Sequence, residues 1–278
     1  MKVAVVTDST AYLPDGVAEK HEIGLVPLHV VLGMRTGNEG LDVSPADVAA
    51  ALSERRVQVS TSRPTPGELA AAYRATGAPC IVSVHLSAEL SGTVDAAQLA
   101  ADEVAADGIE VRVVDSRTIA MGLGFAVIAA AEAATGGASA DEVEAAARGA
   151  HTRTLFYVDT LEHLRRGGRI GAAAALLGTA LAVKPLLHVA DGHIAPLEKV
   201  RTASKALARL EQLAVEAAGD GPVDVGVHHL AAAEKAQALA DRLRPRVPGL
   251  QSLYVSEVGA VVGAHVGPGL LGVVVSKR

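Results

Sequence analysis

The stretch VAVVTDST, residues 3–10, decides how the chain folds. Four consecutive apolar residues, Val3–Val6, are followed at once by Thr7-Asp8-Ser9-Thr10. An uninterrupted apolar run of this length is typical of a strand buried on both faces of a parallel sheet. Similar runs at Cys80–Val84 and Val111–Val114 alternate with Ala-rich helical segments such as Thr93–Ala106. This β-α-β order predicts an α/β protein that begins with a mostly parallel sheet with helices on both faces.

The second half of the chain has a different pattern. Leu186–Ala190 and His193–Val200 flank Asp191-Gly192, which is a strong signal for a β-hairpin. The C-terminal part is therefore predicted as a mixed sheet with helices. We place the boundary near Arg153, with an N-terminal α/β domain at residues 1–153 and a C-terminal α/β domain at residues 154–278. The helices predicted in the second half are Leu161–Arg165, Ala172–Ala182, Ala203–Ala218 and Ala231–Arg244.

The composition predicts an aliphatic core and excludes several classes of protein. Half of the 278 residues are hydrophobic, but there is no Trp and there are only two Phe. The net charge of −6 argues against nucleic acid as the main partner, because phosphate binding needs clustered Lys and Arg. Cys80 is the only cysteine, so no internal disulfide can form, which fits a cytoplasmic location. The longest uninterrupted apolar runs are too short to span a bilayer, so no stable membrane insertion is expected.

Hydroxyl side chains follow the predicted strands of the first half. They lie in Thr7-Asp8-Ser9-Thr10, Ser60-Thr61-Ser62, Ser87…Ser91-Gly92-Thr93 and Asp115-Ser116…Thr118. Ligands of open parallel sheets bind outside the carboxyl ends of the strands, and a helix N-terminus there accepts anions. The simpler interpretation is that each hydroxyl only caps its helix. The pattern therefore predicts either a set of helix caps or a neutral site for an anion.

No strong catalytic or metal-binding motif is present. The chain lacks G-x-S-x-G, a Walker A sequence and any Cys or His cluster with zinc spacing, so no catalytic residue, metal or cofactor is predicted. His265 stands in the apolar stretch Val261–Gly269 and is either a hydrogen-bonded core histidine or part of a site. Arg165, Arg166 and Arg169 form a compact cationic turn, which is either a solvated loop or a surface that binds an anion or a partner.

The motifs as a set resemble the DegV family, in family order across essentially the whole chain. In the first half the resemblance rests on TDST at 7–10, STSRP at 60–64, LSGT at 90–93, DSRT at 115–118 and Met121-Gly122. In the second half it rests on DTL at 159–161, GGRI at 167–170, KPL at 184–186, KVRT at 199–202 and GAHVGPG at 263–269. Arg63 departs from the family pattern, in which many relatives carry Gln.

The resemblance implies a lipid-binding protein with no enzymatic activity of its own. It implies that a long-chain fatty acid lies in a tunnel near the domain junction, and that a separate ATP-dependent fatty acid kinase subunit phosphorylates its carboxylate. By the same matching, Thr61 and Ser91 would meet the carboxylate, with Ser62, Gly92, Thr93, His265 and Arg201 as further ligand-binding residues. We expect Arg165, Arg166 and Arg169 to dock the kinase subunit.

Two other functions remain open from the sequence. An acyl transferase or esterase could use Ser91 as nucleophile and His265 as base, which would require an orienting acid and an oxyanion pocket. The chain could also be a binding module for another hydrophobic acid. A covalent acyl adduct would favour the enzyme, and the identity of a co-purified ligand would separate the two kinds of binding protein.

Overall fold

The computed structural model describes residues 2–54, 57–176 and 184–278. In these residues the strands are β1 Val3–Asp8, β2 Gly24–Val26, β3 His29–Leu32, β4 Arg35–Asn38, β5 Val59–Ser62, β6 Cys80–His85, β7 Glu110–Asp115, β8 His151–Tyr157, β9 Lys184–Ala190, β10 His193–Val200, β11 Val223–His229, β12 Leu250–Glu257 and β13 Leu271–Lys277. The α-helices are α1 Val17–Lys20, α2 Pro45–Glu54, α3 Pro66–Ala75, α4 Thr93–Val104, α5 Met121–Thr135, α6 Ala140–Gly149, α7 Glu162–Arg166, α8 Ala203–Ala218, α9 Ala233–Leu243 and α10 Ala260–Val266.

The chain forms two compact units, and one of them is discontinuous in sequence. Unit 1 comprises Met1–His29 and Ser62–Ala150, and unit 2 comprises Val30–Thr61 and His151–Arg278. The division after Ala150 lies close to the boundary proposed near Arg153. The segment Val30–Thr61 belongs to the same unit as the C-terminal residues. A prediction with a single boundary near Arg153 assigns this segment to the N-terminal domain instead.

Unit 1 is built on a four-stranded sheet in the order β2-β1-β6-β7. All of its strand pairs are parallel, and β1 and β6 are buried along their whole length. Alternate residues of these strands, such as Val6 and Ile81, pack against Leu69 and Tyr73 of α3 and Ala97 of α4. The intervening residues point to the opposite face, where α5 contacts β1 and β6. The predicted parallel sheet with helices on both faces is confirmed.

Local sequence signals determine where several helices of unit 1 begin. At α3, the Thr65 side chain accepts a hydrogen bond from the Glu68 backbone N–H, and the Glu68 carboxylate accepts from the Thr65 N–H at 2.7 Å. Ser139 and Glu142 form the same reciprocal capping box at α6. Each box satisfies N–H groups that would otherwise lack a partner at the start of the helix.

Unit 2 contains a mixed six-stranded sheet in the order β10-β9-β8-β13-β11-β12. Only β11 and β12 run parallel, and the other neighbours are antiparallel. Asp191 and Gly192 both have positive φ, +48° and +84°, as a type I′ turn requires, which confirms the hairpin predicted there. Helices α8 and α9 cover the sheet through Leu210 and Leu239. The predicted mixed sheet is confirmed.

Three elements were not predicted from the sequence, and one prediction was partly wrong. Strands β4 and β5 belong to a separate three-stranded sheet in the order β4-β3-β5, and α10 contains His265. Instead of the start of an α-helix over Ala172–Ala182, the structure has a 3-10 helix at Gly171–Leu176, and residues 177–183 lie outside the described part of the chain. Helix α10 was missed because its cap is distant in sequence: the Glu39 carboxylate accepts from the Val261 N–H at 2.7 Å.

Candidate functional sites in the two units

The carboxyl edge of the unit 1 sheet carries three polar loops. They follow β1, β6 and β7, and the order of strands reverses between β1 and β6. Such a switch point is where open α/β sheets bind ligands. In the loops after β1 and β7, three non-glycine residues have a positive φ: Tyr12 at +47°, Arg117 at +53° and Ala120 at +57°. Non-glycine residues adopt this conformation at a cost that the surrounding structure must offset.

A buried hydrogen-bond network occupies the switch point itself. The Asp8 carboxylate accepts from the N–H and hydroxyl of Thr10 on Oδ1, and from the Leu86 N–H and His85 Nδ1 on Oδ2. Behind it, Tyr73 donates to Ser83 Oγ at 2.9 Å, and Ser83 Oγ lies 2.8 Å from His85 Nε2. Asp8, Ser83, His85 and Tyr73 have no exposed surface, and burial raises the pKa of Tyr73 to about 12. The network therefore joins the ends of β1 and β6 through buried side-chain hydrogen bonds.

Ser91 is half-buried in the loop after β6, and its hydroxyl does not cap a helix. Ser91 Oγ lies 2.9 Å from Thr93 Oγ1, while Gly92 is the N-cap of α4 and offers no side chain. The alternative that this serine is only a helix cap is thereby wrong. The Arg63 guanidinium lies over Gly92, where an added Cβ would approach Nη1 to 2.1 Å. Ser91, Gly92 and Thr93 are therefore grouped in unit 1, with a cation beside them.

In unit 2 the structure pairs Thr61 with His265. Thr61 Oγ1 at the end of β5 lies 2.9 Å from His265 Nε2 in α10, although 204 residues separate the two in sequence. Ser62 is exposed. The prediction that Ser60-Thr61-Ser62 lies at a strand end of the parallel sheet is wrong. These residues are part of β5 in the three-stranded sheet, because β5 pairs with β3.

Three glycines make room for the side chains around His265. A Cβ on Gly167 would approach His265 Nδ1 to 2.1 Å. A Cβ on Gly267 would approach the His163 ring to 2.2 Å, and one on Gly269 would approach the Asp159 carboxylate to 2.2 Å. The glycines of the GGR and HVGPG motifs thus leave space for the side chains of His265, His163 and Asp159. Here glycine is required by close packing at all three positions.

The surroundings of His265 keep its imidazole neutral. Burial, and secondly the charge of Arg169, lower the pKa of His265 to about 4. Within the described residues, its Nδ1 is buried without a hydrogen-bond partner. Buried N–H groups without an acceptor are rarer than unfilled acceptors, so the proton belongs on Nε2. With this tautomer, Nε2–H donates to Thr61 Oγ1 at 2.9 Å, and the Thr61 hydroxyl hydrogen is not used in that bond.

The three arginines of the predicted docking cluster do not behave alike. Arg165 and Arg166 both pair with Glu162 and are 52% and 64% exposed. Arg169 is partly buried, and its guanidinium donates to the Gly167 carbonyl at 2.7 Å. Arg201 is exposed just before Thr202, the N-cap of α8. Only Arg165 and Arg166 are therefore presented on the surface as a pair.

Several residues of these two sites were given no role of their own from the sequence, although three of them stand in motifs quoted from it. They are Asp8, His85, Asp115, Glu39 and Gly167. Asp8 and Asp115 could have been found, since each ends a parallel strand immediately before a hydroxyl, and β1 is buried along its whole length. Among residues 2–54, 57–176 and 184–278, no three His, Cys, Asp or Glu side chains lie together as a metal site. No helix of the described chain is long and apolar enough to cross a membrane.

The fold defines an α/β protein with a parallel N-terminal sheet and a mixed C-terminal sheet, and polar loops follow the strands of the parallel sheet. The chain belongs to the DegV family: residues 2–278 match the sequence model of that family, which is described as uncharacterised. A DegV domain-containing protein of Streptomyces coelicolor is 62% identical over 281 residues, covering 99% of both chains.

Solved relatives extend the similarity to the whole structure. A DegV family protein from Thermus thermophilus, described by its fatty acid binding, matches with a TM-score of 0.90 and 32% identity over 100% of both chains. DegV from Bacillus subtilis, described as a fatty acid binding protein, matches with a TM-score of 0.90 and 35% identity, again over 100% of both chains.

Proposed function

We propose that this protein binds a long-chain fatty acid non-covalently. The observation that carries the proposal is the full-length structural similarity, at TM-scores of 0.90, to two DegV family proteins described as binding fatty acids. The aliphatic composition supports it. Burying roughly 14 methylenes at about 0.8 kcal/mol each is worth on the order of 11 kcal/mol before ordering costs, so the chain of the ligand supplies most of the affinity.

The head group is held by neutral donors. Thr61 supports this role because His265 leaves its hydroxyl hydrogen free, and Ser91 because its hydroxyl is not used as a cap. Ser62, Gly92, Thr93, His265 and Arg201 remain secondary candidates by family resemblance. Neutral donors suit a ligand whose carboxylate must react, because a buried ion pair carries a high desolvation cost and would hold the reacting oxygen.

The protein presents the carboxylate of the bound fatty acid, for phosphorylation, to a separate ATP-dependent kinase subunit in the cytoplasm. This chain is itself not catalytic. A histidine whose pKa is near 4 is a weak base at neutral pH, and His265 Nδ1 has no orienting carboxylate among the described residues. Both points disfavour an esterase or acyl transferase that uses His265 as the base for Ser91.

Co-purified ligand and single substitutions test the binding function. Native mass spectra of the purified protein are expected to show a non-covalent fatty acid, and an acyl-Ser91 adduct would support the enzyme instead. Thr61→Ala and Ser91→Ala should each weaken palmitate binding by roughly ten- to a hundredfold, since a hydrogen bond to a charged group is worth about 1.5–3 kcal/mol. Thr202→Ala and Ser139→Ala are matched controls, because they remove hydroxyls that cap α8 and α6. They should lower stability and leave affinity unchanged.

The surface arginines test the kinase partnership. Changing Arg165, Arg166 and Arg169 together to Ala should slow acyl-phosphate formation by a kinase subunit supplied with ATP, because complementary charge chiefly raises the association rate. The double variant at Arg165 and Arg166 should reproduce this loss with palmitate affinity intact. Glu162→Gln should have the opposite effect, since it frees both guanidinium groups. Equal turnover in all variants would remove this cluster from the docking surface.

A further inference from the structure

The loop that carries Ser91 is held on both sides by an aspartate from a neighbouring strand. Asp8 ends β1 and Asp115 ends β7, and these strands flank β6, which leads into the loop. The Leu86 N–H donates to Asp8 Oδ2 at 3.0 Å, and the Ala88 N–H donates to Asp115 Oδ1 at 3.2 Å. Two successive turns of the loop are thus fixed from opposite directions.

The bracing continues along the backbone to Ser91 itself. The Ser87 N–H donates to the Thr118 carbonyl at 2.9 Å, in the loop after β7. The Ser91 N–H then donates to the Ser87 carbonyl at 3.1 Å. A shift of Leu86 or Ala88 is therefore transmitted through Ser87 to the Ser91 hydroxyl.

We propose that Asp8 and Asp115 are positioning residues that fix the Ser91 hydroxyl where it meets the carboxylate of the ligand. This inference rests on the proposed function of Ser91. Neither aspartate touches the ligand, and both act through backbone N–H groups of the loop. Their task is to hold the loop in place before the ligand arrives, so that binding does not have to order it.

The two aspartates tolerate replacement by asparagine differently. Asp8 is fully buried and accepts four hydrogen bonds, two on each oxygen, so either orientation of an Asn amide would point NH₂ at donors. Asp115 is half-buried, and its Oδ1 accepts the hydrogen bonds from the backbone N–H groups of Ala88 and Arg117. An Asn at 115 can place its carbonyl oxygen there. Asp115→Asn therefore retains the brace, whereas Asp115→Ala and Asp8→Asn each remove or disturb it.

Two probes separate positioning of the loop from general stability. Palmitate carries the carboxylate that Ser91 is proposed to bind, and hexadecanol has the same chain without it. We expect Asp115→Ala and Asp8→Asn to weaken palmitate binding about tenfold and hexadecanol binding less than threefold, with Asp115→Asn restoring palmitate affinity. In a protein that already carries Ser91→Ala, adding either Asp115→Ala or Asp8→Asn should weaken palmitate binding by less than a further threefold. No Ser91 hydroxyl is then left for the aspartates to position.

The outcomes distinguish this inference from the function beneath it. If the wild-type protein takes up no palmitate, the proposed function itself fails. If it binds palmitate but the losses are equal for both probes, or simply multiply with the loss from Ser91→Ala, the aspartates only support the fold and the inference is overturned. Asp8→Asn is the variant more at risk of unfolding. The Asp115 pair, on a half-buried side chain, decides the question without it.

Discussion

Replacing Gly167 by alanine should expel the His265 ring from its place beside Thr61. The new Cβ would lie 2.1 Å from Nδ1 and 2.8 Å from Cε1, whereas ordinary contact begins at 3.4 Å. The ring cannot retreat from Gly167, because its opposite edge is hydrogen-bonded to Thr61 at 2.9 Å. It must rotate away and give up that bond. The backbone at Gly167 is helical, with φ of −73°, so the substitution adds no backbone strain that would confuse the result.

The magnitude follows from three contributions. Overpacking costs about 1–3 kcal/mol, and the lost hydrogen bond costs about 0.5–1.5 kcal/mol. Replacing a helical glycine by alanine returns about 0.5–1 kcal/mol. We expect a net loss of about 0.5–4 kcal/mol in the free energy of unfolding. The pKa of His265 should rise from about 4 toward its ordinary value of 6.5, because the rotated ring is hydrated.

Urea unfolding and an NMR titration of the His265 ring measure the two effects. Gly149→Ala is the matched control: it replaces the last residue of α6, and nothing lies within 4 Å of the added Cβ. That variant should be as stable as the wild type or more so, with His265 unchanged. If Gly167→Ala matches the control in stability and leaves the His265 pKa near 4, the packing argument is refuted.

Two further predictions concern pH and the Ser91 loop. Burial is the main cause that lowers the pKa of both His228 and His265 to about 4, so between pH 6.5 and pH 4 the unfolded chain binds protons that the folded chain does not. Stability should fall as the pH drops through this window, by up to about 1.4 kcal/mol per pH unit for each histidine, and His228→Asn should flatten the dependence of urea midpoints on pH. At the loop, Gly92→Ala places alanine at the N-cap of α4, where glycine is preferred, and displaces only the exposed Arg63 guanidinium, so the free energy of unfolding should fall by no more than about 1 kcal/mol in thermal unfolding. A loss above about 2 kcal/mol would mean that Arg63 holds the loop.

The strands and helices that the sequence predicted well are those whose signals are local. The buried run Val3–Val6 and the Asp191-Gly192 turn each specify their element within a few residues. By contrast, β5 has no apolar alternation, and α10 receives its cap from Glu39, a residue 222 positions away. Neither could be found without knowing which distant segments meet.

The candidate site shows the same division. Thr61, Ser91 and His265 were reached by resemblance to a family, and their individual partners came only from the structure. The bond between Thr61 and His265 depends on pairing of β5 with β3 and on the position of α10, which are long-range features. The brace from Asp8 could have been suspected, because a carboxylate at the end of a fully buried strand needs donors. Which N–H groups it accepts from could not.

The discontinuity of unit 2 bears on how the protein is made on the ribosome. Val48 of α2 packs beside Gly263 of α10, 3.8 Å from where a Cβ would stand. At about 5–20 residues per second, α2 leaves the ribosome on the order of 10–40 s before α10 has been synthesised. Throughout that interval the nascent chain holds Val30–Thr61 without its C-terminal partners, while the second segment of unit 1, Ser62–Ala150, is completed before α10 is synthesised. Translation speed thus sets how long an apolar insert must be shielded from self-association in the cell.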